Sequence, residues 1–217
     1  MMTMSETTEG IESSRSPRPP YPSCPSRPFD ADGVKRAVRL YLQSIGEDPD
    51  REGLKDTPDR IARASQEIFS GMSQNPRDVL GARFNVATED LVVVRDIEFY
   101  SVCEHHLLPF HGLAHIGYIP DKNRVVGLSK LARLVQVFAH RPQIQERMTQ
   151  QIADALMDEL GAKGAIVITD CEHMCMSMRG VKESQARTVT SAVRGYLRQS
   201  DTRAEALRLI LDAPQLR

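Results

Sequence analysis

The sequence predicts an α+β chain: an antiparallel sheet with helices on one face, preceded by an N-terminal helical segment. Two observations carry this expectation. Hydrophobic periods run helix, helix, strand, strand, helix, helix, strand, strand, helix. Paired strands set between paired helices, without strict strand–helix alternation, close as an antiparallel sheet. In addition, no segment repeats another, which excludes a solenoid or propeller.

Residues 1–28, including "SPRPPYPSCPSRP", are rich in Ser, Pro and Arg and lack periodicity. Such a stretch buries too little apolar area to offset its ordering entropy. It is expected to be a disordered tail, with Cys24 an incidental thiol. Residues 29–88 form the N-terminal helical segment and residues 89–217 the main domain. Asp30 or Asp32 caps a first helix with Val34, Val38, Tyr41 and Ile45 along one face, stopped at Gly46. Thr57 as N-cap and Pro58 at the first helical position start a second. Its buried face is Ile61, Ala64 and Ile68, and Gly71 ends it. The β-branched "LVVVRDIEFYSV" (91–102) reads as a strand, with "LAHIGYIP" (113–120) as its antiparallel partner. In "GLSKLARLVQVFAH" (127–140), Ser129 caps a helix that buries Leu131, Leu134, Val135 and Phe138. Pro142 closes that helix and opens a longer one carrying Ile144, Met148, Ile152 and Leu156. "GAIVITD" (164–170) and "RTVTSAVRGYL" (187–197) supply the second strand pair, and "TRAEALRLILD" (202–212) a closing helix.

Composition narrows the functional classes. The 217 residues are 26% charged at a net charge of −1, so no global basic field points to nucleic acid. No stretch approaches the ~18 consecutive apolar residues of a membrane span, and the N-terminus lacks the pattern of a secretory signal. A cytoplasmic, reducing setting is expected, in which four cysteines serve as thiols or metal ligands and not as a disulfide framework. With no Trp and 5% aromatics, the core must rest on Val, Ile, Leu, Ala and Met.

Two Cys/His clusters stand out. In "SVCEHHLLPFHG", Cys103 and His106 reach one ion only if the chain turns, which a strand end permits. In "CEHMCMSMRG", His173 and Cys175 share a face of an extended segment. Cys103, His106 and Cys175 would supply the two thiolates and one imidazole that suit Zn²⁺ with an open fourth position. His105 and His173 then remain beside the metal as proton carriers. Against this, Cys is a common small core residue and a His near a strand end is usually a hydrogen-bonded structural group. Cys171 is read that way, finishing its strand. His111, His115 and His140 have no nameable partner, and Glu104 and Glu172 either support the site or are solvated.

A second group suits an anion. Lys130 and Arg133 are neighbours in the first turn after Ser129, where free N–H groups and two cations fit phosphate. Arg179 precedes Gly180, and Arg60 occupies a helix start that ordinarily disfavours a cation. Gln145 and Glu146, an amide beside a carboxylate, can read the donor edge of a purine such as guanine. Each feature alone is also an ordinary solvated helix face.

Together, "CEHHLLPFHG", "GLSKLARLVQVFAHRPQIQERMTQQIADAL", "EHMCMSMRGV" and "TVTSAVRGYLRQ" closely resemble the GTP cyclohydrolase I family, and "GEDPDREGLKDTPDRIARA" resembles its N-terminal helical segment. The resemblance spans roughly residues 30–213. It implies the tunnelling fold, with the sheets of several subunits joined into a barrel. It also implies a toroidal homodecamer with active sites at subunit interfaces. By resemblance, Cys103, His106 and Cys175 ligate zinc, and His105 and His173 are catalytic, with Ser129 assisting. Gln145 and Glu146 hold guanine. Lys130, Arg133 and Arg179 surround the ribose and triphosphate of GTP, with Arg60 reaching in from a neighbouring subunit. The implied reaction opens the imidazole ring of GTP, releases formate and ends at 7,8-dihydroneopterin triphosphate. Two other readings compete. One is a relative of the same fold acting on another purine or pterin. The other is a non-catalytic, zinc-stabilised GTP-binding regulatory assembly, which predicts a metal site closed by protein.

Overall fold

Asp30 opens the first helix, α1 (Ala31–Ser44), by accepting a hydrogen bond from the Gly33 amide at 2.8 Å. The computed structural model describes residues 28–81, 83–122 and 124–212, so the Ser/Pro-rich tail lies outside the described residues except for Pro28. The chain leaves α1 through Gly46 at φ +87°, a conformation that favours glycine. Helix α2 (Thr57–Ile68) starts one residue earlier than expected. Asp56, not Thr57, is its N-cap, and no side chain caps it. The faces assigned to burial also differ. Val34 and Val38 are half-buried, whereas Tyr41, Ile45, Ile61, Ala64 and Ile68 are exposed. Pro58 and Ala62 are the buried residues of α2, and α1 has none. The periodicity is real, but in a single chain α1 packs chiefly on α2.

A 3₁₀ turn (Ser70–Ser73) and the short α3 (Pro76–Val79) lead to β1 (Arg83–Asn85), which pairs antiparallel with β4 (Arg124–Val126). This ribbon is invisible to pattern reading because three residues carry no period. The main sheet contains β2 (Val92–Cys103), β3 (Pro109–Ile119), β5 (Pro142–Gln143), β6 (Gly164–His173) and β7 (Thr188–Gly195) in the order β5-β2-β3-β6-β7. All pairs are antiparallel except the two-residue β5, which runs parallel to β2. Pro142 therefore lies in an edge strand instead of opening a helix. An edge strand tolerates proline because the missing donor breaks no interior ladder.

Helix α4 (Leu128–Ala139) has Gly127 as N-cap, which corrects Ser129: that residue is the second of the helix and caps nothing. Leu131, Leu134, Val135 and Phe138 are fully buried as their spacing requires. Helix α5 (Gln145–Ala155) adds Met148 and Ile152, and a π-turn (Leu156–Leu160) buries Leu156. These side chains meet Phe99, Phe110, Ala165 and Val167 on one face of the sheet. A four-residue helix, α6 (Met174–Ser177), follows β6. The closing helix α7 (Ser200–Leu211) lies on the opposite face, where Ala206 and Ile210 pack on Ile166 and Ile168. The expectation of helices on one face is thus corrected. The alternation of β6, with Ala165 and Val167 one way and Ile166 and Ile168 the other, demands a cover on both sides.

A bulge interrupts β2 between Val94 and Ile97, with Asp96 at φ +58°. The Asp96 amide donates to His115 Nδ1 at 3.2 Å, and Arg95 reaches the Ile210 carbonyl at 3.3 Å. Burial pushes the His115 pKa below its ordinary value, opposed by Asp96 and Asp170 and reinforced by Arg95. A folded pKa below the unfolded one means that the unfolded chain binds the proton first. The His115 contribution is complete above about pH 6.5 and is lost as the pH falls from there through the folded value. Urea titrations of the metal-free protein at about pH 7.5 and 5.5 should show a stability loss on acidification that is smaller in His115→Gln.

Candidate metal centre and its cleft

Strands β2 and β6 run in the same direction on either side of β3, so their C-terminal ends meet at one edge of the sheet. Beyond Cys103, β2 turns back into β3. The Leu107 amide bonds to the Cys103 carbonyl at 2.8 Å and the Cys103 amide to the Leu108 carbonyl at 2.9 Å. Leu107 takes φ +53° in this turn. Beyond His173, β6 passes directly into α6, which carries Cys175. Cys103, His105, His106, Gln145, Glu146, His173 and Cys175 open on one cleft of about 230 Å³.

The donor atoms of Cys103, His106 and Cys175 all lie within 4.8 Å of one another, with Cys103 Sγ 3.8 Å from His106 Nδ1. In a tetrahedral thiolate–imidazole site such atoms stand roughly 3.5–3.8 Å apart, so a small contraction suffices to hold a metal ion. Burial and the neighbouring Cys103 thiol raise the Cys175 pKa above its ordinary value, so a cation is what makes two adjacent thiolates favourable. Cys103 is buried, Cys175 half-buried and His106 exposed, and among the described residues no fourth Cys, His, Asp or Glu joins the group. The donor set fits a metal that faces solvent on one side.

His173 is held on two sides. Its ring stacks on Phe110 at 4.6 Å and 4°, as the pairing of these residues across β3 and β6 dictates. Its Nε2 lies 2.7 Å from Gln145 Oε1. The Gln145 NH₂ group faces the Thr188 carbonyl at 2.9 Å, the Thr169 carbonyl at 3.1 Å, and the hydroxyls of Thr169 and Thr190. Carbonyls only accept, so the amide nitrogen must point at the strands and Oε1 at His173. His173 Nε2 therefore carries the proton. Burial lowers the His173 pKa, with Glu146 opposing. The adjacent Gln145 and Glu146 are thus divided. Both line the cleft, but Gln145, only 1% exposed, is bonded into its wall, while Glu146 is exposed.

His105 also lines the cleft, with its ring edge-on to His106 at 6.3 Å. Arg179 stands against His106, Nη1 to Nε2 at 2.9 Å. Ser129, Lys130 and Arg133 lie at the start of α4 and do not line this cleft. Arg60 is exposed and 3.6 Å from Asp56. Pattern reading passes over Gln143 and Arg147, although both adjoin the Gln145–Glu146 pair. Gln143 lines the cleft, and Arg147 binds Glu104 and holds its carboxyl below the usual range. Cys171 is fully buried in β6.

Among known proteins, the family model for GTP cyclohydrolase I matches residues 34–211. A protein of Bifidobacterium longum (strain DJO10A) named GTP cyclohydrolase 1 is 68% identical over 186 residues, 86% of this chain and 94% of that one. Proteins of the same name from Streptomyces coelicolor (184 residues; 84% and 92% of the two chains) and Carboxydothermus hydrogenoformans (182 residues; 83% and 95%) are each 57% identical. Among solved structures, the archaeosine synthase QueF-Like in the apo form covers 50% of this chain and 96% of its own. Its TM-score is 0.39 and its identity 12%, too slight a likeness to argue from. Extensive identity over nearly the full length of these relatives shows that the chain belongs to the GTP cyclohydrolase I family and is an enzyme of that type.

Proposed function

We propose that this protein converts GTP to 7,8-dihydroneopterin triphosphate with release of formate, as the first step of pterin and folate biosynthesis, using zinc held by Cys103, His106 and Cys175. The observation that carries the proposal is the convergence of this donor set with His105, His173 and Glu146 on one cleft. When bound, zinc supplies Lewis-acid activation of water near neutral pH. The Glu146 carboxylate accepts from the N–H groups of guanine and fixes the purine. His173, oriented by Phe110 and Gln145, delivers a proton to N7 as water adds at C8. A second hydrolysis then releases formate. His105, with Ser129, moves protons during ribose opening, rearrangement and closure of the new ring.

Arg179 reaches the triphosphate from this chain. Ser129, Lys130, Arg133 and Arg60 complete the pocket from neighbouring copies in a homodecamer whose sheets join into a barrel. The apolar, exposed faces of α1 and α2 and the exposed Val189 of the edge strand β7 support such an assembly. Binding the triphosphate far from C8 orients the reacting carbon. In this scheme residues 89–217 form the catalytic tunnelling-fold domain and residues 29–88 a helical segment serving assembly. The setting is the reducing cytoplasm, which keeps the ligand thiols available.

Zinc-loaded protein incubated with GTP should release formate and, after oxidation, a fluorescent pterin in equal amounts. GTP binding without formate would overturn the reaction and favour the regulatory assembly.

A further inference from the structure

The turn that carries Cys103 and His106 is short and largely exposed, and it contains Leu107 in the left-handed region. Such a turn needs outside contacts to keep two donor atoms at one spacing. It has two. The Glu104 amide donates to the Gln143 carbonyl at 3.0 Å, a bond of the Cys103–Gln143 pairing between β2 and β5. The Glu104 carboxylate meets Arg147 of α5 in a two-pronged pair, Nη1 to Oε1 at 3.3 Å and Nη2 to Oε2.

Arg147 is itself anchored. Its Nε donates to Gln143 Oε1 at 3.1 Å and its Nη2 to the Pro142 carbonyl at 3.4 Å. Gln143 is buried, and its own amide donates to the Phe138 carbonyl and to Gln151 Oε1, each at 2.9 Å. The guanidinium thus links the ends of α4 and α5 to the single residue between Cys103 and His105.

We infer that Arg147 is a positioning residue: through Glu104 it holds the Cys103–His106 turn at the spacing that accepts the metal. The inference rests on the reading of Cys103, His106 and Cys175 as metal ligands. The side chains of Arg147 and Glu104 are 40% and 30% exposed, so as an ion pair they add little to stability. Their effect is geometric. A planar guanidinium gripping both carboxylate oxygens fixes direction as well as distance, which an ammonium cannot do.

The test is zinc affinity of the full chain, measured by competition with a chromogenic chelator after metal removal. Circular dichroism confirms folding. Arg147→Ala and Glu104→Gln should each weaken zinc binding by about 10–100-fold. Glu104→Gln should leave thermal unfolding without metal nearly unchanged, and Arg147→Lys should recover only part of the affinity. The double variant should lose no more than either single one, because both remove the same link. Unchanged affinity in folded Arg147→Ala and Glu104→Gln, or losses that add in the double variant, would overturn the inference while leaving the metal site standing. Should Arg147→Ala fail to fold, the near-isosteric Glu104→Gln decides. Failure of the unaltered chain to take up zinc would remove the metal reading and this inference together.

Discussion

If Cys103, His106 and Cys175 hold the metal as proposed, Cys175→Ser should remove metal uptake and formate release together. A serine hydroxyl does not ionise near neutral pH and is a poor zinc donor. Only two protein donors then remain, Cys103 and His106. Loss of an outer partner of a metal site costs about 10–100-fold, and loss of one of three ligands should exceed that, with turnover falling by at least ~10³-fold. The fold should persist. Cys175 is half-buried on a four-residue helix at the sheet edge, whereas the core is built from β2, β3, β6, α4 and α5. Zinc content, formate yield and circular dichroism on one preparation check this. Cys171→Ala is the matched control. The Cys171 thiol is fully buried and pushed up to about 12, chiefly by that burial, so it offers no thiolate, and its removal should leave zinc content intact. Full zinc occupancy in Cys175→Ser would exclude Cys175 as a ligand.

His173→Ala should lower kcat by about 10²–10⁴-fold, the usual weight of a general acid, with zinc content retained. Gln145→Ala then separates two roles. If Gln145 acts through His173, whose Nε2 it faces at 2.7 Å, the variant loses kcat with little change in KM. If its amide held guanine, KM would rise at constant kcat. The inward amide, already facing Thr169, Thr188 and Thr190, favours the first outcome. Steady-state kinetics with GTP, after equal zinc loading, decide between them.

Most elements were legible because their signals are local. A period near 3.6 over residues 127–140 marks Leu131, Leu134, Val135 and Phe138 as one face, and all four are buried. β-branched runs mark β2, β6 and β7, although β3 and β6 extend several residues past their apolar stretches. Capping was harder to read. Ser129 and Thr57 are good caps by type, but Gly127 and Asp56 take the position, because the cap is set by where the backbone enters the helix. The ribbon of β1 and β4 and the edge strand at Pro142 are too short to carry a pattern.

The site divides in the same way. Spacing and residue chemistry alone identified a turn bearing Cys103 and His106 and a second segment bearing His173 and Cys175. Both are properties of a few consecutive residues. Which of two adjacent polar side chains is buried in the wall of the cleft and which is exposed, and that Arg147 grips the turn bearing Cys103 and His106, depends on how β5, β6 and β7 meet α5. Those contacts join residues 20 to 45 positions apart, such as Gln145 with Thr169 and Thr190 and Arg147 with Glu104. The sequence by itself determined the longer elements, the apolar face of α4 and the Cys/His donor residues that could hold a metal, because each is written in neighbouring residues. Only the tertiary structure decided that α7 covers the second face, that Gln145 turns inward and that Glu104 is clamped, because each of these is settled by long-range strand pairing and packing.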